Sequence, residues 1–217
     1  HAQSLPNRLW GRILLEVEKN GEAWYLNPLD DRKYYLGRPL DAWQILQSLA
    51  IGCTDQDLAK IPVGILPVEK DSPDQDGDNV SDDLESALGT DPAQSDTDQD
   101  GYSDYLELNS GYDPLGREPA GIDPEFAALH QGKIFIQTET AGQAWYIHPV
   151  DQRRYFLGSP QRAFQVMRQL GLGIKSGILQ NTPAGQADLS RLPADNNRQP
   201  DDGPGDDNTC SQCQDRD

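Results

Sequence analysis

Residues 11–52 recur as residues 132–173 at a constant offset of 121, without a gap. Ala23-Trp24-Tyr25 returns as Ala144-Trp145-Tyr146, Asp30 and Arg32 as Asp151 and Arg153, Tyr34 as Tyr155, and Leu36-Gly37 as Leu157-Gly158. Pro28, Pro39, Ala42, Gln44, Leu49 and Gly52 match Pro149, Pro160, Ala163, Gln165, Leu170 and Gly173. A chain duplicated in this way folds as two copies of one unit.

Within the unit, residues 12–18 and 23–27 read as strands joined by a tight turn at Asn20-Gly21. A turn over 28–31 leads to a third strand at 33–36, and Gly37-Arg38-Pro39 opens a helix. Ala42, Ile45, Leu46 and Leu49 fall at helical spacing, and Gly52 stops the run. The expected fold is α+β: two small modules, each a three-stranded antiparallel β-meander plus one helix, joined by a loop segment with short helices. A unit of ~45 residues buries too little to be secure alone, so the copies should lean on each other or on neighbouring chains. The apolar stretches 63–66 and 173–179 are candidate extra strands, pairing within or between chains.

Between the copies lies an acidic segment. From residue 71 to 113 there are fourteen Asp or Glu and no Lys or Arg. Its carboxylates keep a register that repeats after 22 residues: Asp74, Asp76, Asp78, Asp82 and Glu85, then Asp96, Asp98, Asp100, Asp104 and Glu107. These are places 1, 3, 5, 9 and 12 of a twelve-residue loop, and place 7, Val80 or Tyr102, offers a backbone carbonyl. Hard oxygen ligands in this number suit calcium better than magnesium or zinc, which implies about two Ca2+ ions. A disordered acidic linker would have no reason to keep such a register.

At these residues the chain resembles the thrombospondin type 3 calcium repeat in its bacterial form. The resemblance spans about forty residues and implies extracellular calcium that stabilises structure, without enzyme activity. Asn79 stands where that pattern usually has Gly, and Asn tolerates the left-handed backbone required there. The flanking Gly-x-Ala-Trp-Tyr and Arg-x-Tyr-x-Leu-Gly motifs look like modules that accompany such repeats in predicted secreted bacterial proteins, whose activity the resemblance does not supply.

The expected organisation is an arm (1–10), module 1 (11–66), a double calcium-loop linker (67–120), module 2 (121–180) and an acidic tail rich in Pro and Asp (181–217). A net charge of −18 argues against nucleic acid and anionic membranes as partners. No apolar run reaches the ~18 residues of a membrane span. The chain starts at His1, not Met, which fits a mature end left by a removed secretory signal and an extracellular or cell-surface location, although a trimmed chain would read the same. Of the three cysteines, Cys210 and Cys213 form a lone Cys-x-x-Cys with no second pair for zinc. One arrangement joins Cys53 to a tail cysteine, in the same chain or a neighbour.

The aromatics Trp24, Tyr25, Tyr34, Tyr35 and Trp43, with their counterparts Trp145, Tyr146, Tyr155, Phe156 and Phe164, have two readings. They either fill the core and interfaces or present a sugar-binding platform. Asp30 with Arg32, and Asp151 with Arg153, read as turn residues rather than a site. No nucleophile, Walker or metalloprotease motif is present, and a copper site at His1 would lack its usual larger β-sandwich, so no catalytic residue is assigned. The expectation is a secreted structural protein that self-associates into a filament or surface layer. The alternative is a bivalent adhesin, or a cell-wall or carbohydrate binder, which would take a glycan as partner.

Overall fold

In the computed structural model, residues 5–18, 21–69, 72–139 and 142–192 are described. Asn20, His1, Cys210, Cys213 and tail residues 193–217 lie outside them. The elements run β1 (Ile13–Glu16), β2 (Glu22–Asn27), β3 (Arg32–Tyr35), α1 (Pro39–Ser48), β4 (Ile51–Cys53) and α2 (Asp55–Ala59). The acidic segment holds α3 (Asp82–Leu88), α4 (Asp104–Ser110) and a two-stranded hairpin of β5 (Tyr112–Asp113) and β6 (Gly116–Pro119). Then come α5 (Pro124–His130), β7 (Ile134–Gln137), β8 (Ala144–Ile147), β9 (Arg154–Phe156), α6 (Pro160–Leu170) and β10 (Leu172–Ile174).

Each copy forms the expected antiparallel meander and helix, but neither sheet is completed by its own chain segment. The sheets run β10-β1-β2-β3 and β4-β7-β8-β9. The strand after α1 pairs in parallel with copy two, Ile51 opposite Phe135 and Cys53 opposite Gln137. The strand after α6 returns to copy one, Leu172 opposite Leu14 and Ile174 opposite Glu16. The copies exchange strands about a pseudo-twofold axis, which answers how so small a unit becomes stable. The acidic segment is therefore not the sole tie between the copies.

The axis passes where Gly11 meets Gly132. A Cβ built on either would lie 2.4 Å from the other's Cα, and both take left-handed backbones, φ +80° and +77°. Only Gly meets both demands. On either side Tyr25 Oη donates to Gly132 O and Tyr146 Oη to Gly11 O, each at 2.7 Å. The two rings meet edge to face at 6.4 Å. Burial of both phenols raises their pKa. Around them Ile13, Ala23, Leu36, Ala42 and Leu46 merge with Ile134, Ala144, Leu157, Ala163 and Val166 into one core.

The equivalence continues past residue 52. Lys33 Nζ lies over the Trp24 ring and donates to Leu179 O, while Arg154 lies over Trp145 and donates to Leu58 O. A Cβ on Gly185 would strike the Tyr34 ring, and one on Gly64 the Tyr155 ring. Leu58, Pro62 and Gly64 thus match Leu179, Pro183 and Gly185 at the same offset of 121.

The outer faces of the two sheets differ. On copy two, Phe135, Trp145 and Ile147 pack against Val80 and Leu84 of the acidic segment, Leu108 of α4 and Ala127 of α5. Copy one has only a small cluster of Leu9, Leu14, Leu26, Ile174 and Leu179. Half of the ten repeated aromatics are interior: Tyr25, Tyr34, Trp145, Tyr146 and Tyr155 are buried, whereas Tyr35 and Phe164 are exposed.

Candidate metal centres

Each acidic loop turns tightly because two of its residues take left-handed backbones. In the first these are Gly77 and Asn79, φ +77° and +80°, and in the second Gln99 and Gly101, φ +59° and +102°. Asn79 thus takes the conformation expected of it. The loop carboxylates fold inward onto the backbone. Asp74 Oδ1 accepts from Gly77 N at 2.9 Å, Asp76 Oδ1 from Asp78 N at 3.1 Å and Asp78 Oδ1 from Val80 N at 2.7 Å. In the second loop Asp96 Oδ2 accepts from Gly101 N at 2.9 Å, Asp98 Oδ1 from Asp100 N at 3.0 Å and Asp100 Oδ1 from Tyr102 N at 3.1 Å.

The result is two triads, Asp74 with Asp76 and Asp78, and Asp96 with Asp98 and Asp100. In each, three carboxylate oxygens lie within 4.8 Å of one another. Glu85 and Glu107 return from α3 and α4 toward these triads, and both are buried. Asp82 and Asp104, the ninth residues, latch the loops shut: Asp82 Oδ1 accepts from Gln75 N at 2.8 Å, and Asp104 accepts from Thr97 N and its hydroxyl at 2.9 and 2.7 Å. The loops are coupled, because Asp78 Oδ2 accepts from Tyr105 N at 3.0 Å. Val80 buries its side chain in the core, whereas Tyr102 is exposed.

A cation fits this donor set on a specific observation. Glu85 Oε1 and Oε2, Asp76 Oδ2 and Glu107 Oε2 are buried without a hydrogen-bond partner. Buried acceptors left in this way are costly unless something positive meets them. Burial, then the charges of Asp76 and Asp78, push the Glu85 carboxyl up to about 8. Burial and the charges of Asp98 and Asp100 push Glu107 up to about 7. Protonating one carboxyl leaves the charge of the Asp triad beside it, and a divalent ion with oxygen preference relieves the repulsion directly.

Both loops match the bacterial TSP3 repeat. The matches cover residues 74–95 and 96–115 and leave the two four-stranded sheets outside them. No curated protein and no solved structure matches the chain. TSP3 repeats bind calcium, and the two Asp triads are groups that could hold ions.

The first TSP3 repeat is also fastened to copy two. Arg162, buried on α6, donates from Nε to Asp83 Oδ2 at 2.7 Å and from a terminal nitrogen to Asp83 Oδ1 at 2.5 Å. Its other nitrogen meets Gln165 Oε1, and Gln165 Nε2 donates to Pro67 O at 2.8 Å. Sequence reasoning missed this anchor, because Asp83 reads as one more loop carboxylate and Arg162 replaces an acidic residue, Asp41, in the other copy. That departure from the repeat was the available signal.

The remaining sequence candidates are structural. Asp30 accepts from Arg32 N and the Tyr34 hydroxyl, and Asp151 from Arg153 N and the Tyr155 hydroxyl. Both are turn residues. Cys53 has no disulfide partner among the described residues, and burial raises its thiol to about 11. Among the described residues no helix is long and apolar enough to cross a membrane.

Proposed function

We propose that this is a calcium-stabilised structural protein of the extracellular space or cell surface, not an enzyme, which self-associates into a filament or layer. The observation that carries the reading is the set of buried, unpartnered carboxylate oxygens on Asp76 in the first loop and on Glu85 and Glu107, on helices whose apolar sides build the outer core of copy two. An ion there neutralises charge that would otherwise drive the segment off the sheet.

About two ions are bound, one per repeat. Asp74, Asp76, Asp78, the Val80 carbonyl and Glu85 hold the first, and Asp96, Asp98, Asp100, the Tyr102 carbonyl and Glu107 the second. Asp82 and Asp104 act by closing the loops. Such sites suit the high calcium outside cells, where TSP3 repeats are typical. The ion supplies positive charge and fixed geometry, and the chain supplies an all-oxygen cradle.

The test is calorimetric titration of metal-free protein with calcium, followed by electron microscopy with and without chelator. Two ions per chain and assemblies in calcium support the reading. Dispersed monomers that sediment with glycans would establish the adhesin instead.

A further inference from the structure

The contact between the first TSP3 repeat and copy two is made of parts that the chain contains twice. The repeat contributes Val80, Leu84 and Asp83, copy two contributes Phe156 and Arg162, and the crossing segment after α2 adds Gly64 and Leu66. A shift of 22 residues turns Val80 and Leu84 into Tyr102 and Leu106, and a shift of 121 turns Phe156 and Arg162 into Tyr35 and Asp41. These second versions are left facing solvent. Tyr102 is 63% exposed, Leu106 52% and Tyr35 49%, whereas Val80 and Leu84 are buried. Exposed large apolar groups gathered in this way mark contact surfaces.

The charges identify which surfaces fit. In the internal contact the acid is on the repeat and the base on the sheet module. In the exposed pair the signs are reversed once calcium is bound: Arg117 shares one depression with Tyr102, Leu106 and Tyr112, the carboxylates there, Asp100 and Glu107, belong to the second ion centre, and Asp41 is exposed on α1. We propose that the second TSP3 repeat of one chain docks on the copy-one face of the next, as the first repeat docks on copy two within the chain. Arg117 meets Asp41 across the new contact, and Tyr102 and Leu106 cover Tyr35.

The copy-two face is no competing site, since the first repeat covers it within the chain and Asp83 already holds Arg162. The start of the tail, Leu189–Arg191, already touches α1, but the rest is a poor cover for Tyr35. Residues 193–217 contain no Leu, Ile, Val, Met or aromatic, and their acidity opposes Asp41. Because the two surfaces lie on different parts of the molecule, the contact is heterologous and propagates into an open chain. It rests on the self-association reading and gives that association a geometry.

The experiment uses full-length protein in saturating calcium, with sedimentation velocity over a concentration series. Arg117→Glu alone and Asp41→Arg alone should each associate at least about tenfold more weakly than wild type, and a 1:1 mixture of the two should recover. Leu106→Ser should weaken association without touching charge, and calcium-dependent circular dichroism checks that each variant folds. Association that survives all three variants, or a mixture that fails to recover, overturns this contact while leaving self-assembly standing. Wild type that stays monomeric overturns both.

Discussion

Replacing Gly132 with Ala tests the pseudo-twofold axis where it is tightest. The new methyl would sit 2.4 Å from Gly11 Cα, against an ordinary van der Waals contact of 3.4–4 Å, so the two backbones must separate by about 1 Å. The left-handed backbone, φ +77°, adds strain of about 1–2 kcal/mol for a residue with a Cβ. Separation also stretches the bonds from Tyr25 to Gly132 O and from Tyr146 to Gly11 O, and each buried carbonyl left unpaired costs about 1–3 kcal/mol. Together these amount to about 3–8 kcal/mol, a large part of the roughly 5–15 kcal/mol that holds a domain of this size folded. Gly142→Ala is the control, because Gly142 has φ +71° but nothing within 4 Å of a built Cβ. It should lose only the strain, about 1–2 kcal/mol. Urea unfolding of wild type and both variants in excess calcium, followed by far-UV circular dichroism, gives the comparison. If Gly132→Ala costs no more than Gly142→Ala, the two copies do not meet as described.

Other outcomes follow from the calcium segment. Glu85→Gln should melt above wild type by at least about 2 °C in chelator above pH 8, where the metal-free Glu85 carboxyl is ionised and orphaned, and below it in calcium, where a ligand has been lost. Differential scanning calorimetry in both states checks the reversal. In metal-free protein, folding raises the Glu85 and Glu107 carboxyls from an ordinary 4.5 to about 8 and about 7, so the folded state binds protons more tightly. Their favourable contribution is complete below pH 4.5 and disappears as pH rises toward 8. Calcium binding needs both groups ionised, so the melting-temperature gain from calcium should grow over the same window, as paired melts from pH 5 to 8 would show. Arg162→Ala should speed amide exchange in α3 while leaving the exchange of β1 and β2 unchanged, because Asp83 loses its anchor and the shared core does not.

Much of the module was legible because its signals are local. Meander, helix and turn residues follow from alternation, Gly and Pro, and the loop carboxylates from a register that only metal binding explains. Of the two candidate extra strands, 173–179 overlaps β10 and 63–66 forms a single bridge from Val63 to Arg154, but that the strands after α1 and α6 cross to the other copy was not legible. Ile51-Gly52-Cys53 and Leu172-Gly173-Ile174 are three residues each, too short to show alternation, and Gly52 read as a helix stop. Their partners are set by the geometry of the shared core, which no local pattern encodes. Pro62-x-Gly64 and Pro183-x-Gly185 did carry the duplication further, but amid divergent neighbours. The anchoring of the acidic segment was hidden for the opposite reason: Asp83 lies among so many carboxylates that its different partner could be seen only through Arg162.

The exchanged strands also set an order of events. Copy one cannot close its sheet until Leu172–Ile174 has been made, so a chain produced from its N-terminus carries an open β1 edge through the synthesis of everything in between. Copy two has all four of its strands once Arg154–Phe156 is made, while copy one still waits for Leu172–Ile174, and the calcium loops are complete in sequence before the copy-two sheet they pack against is formed. The shared core therefore closes from the copy-two side, and the first-made strands are the last to gain their partner.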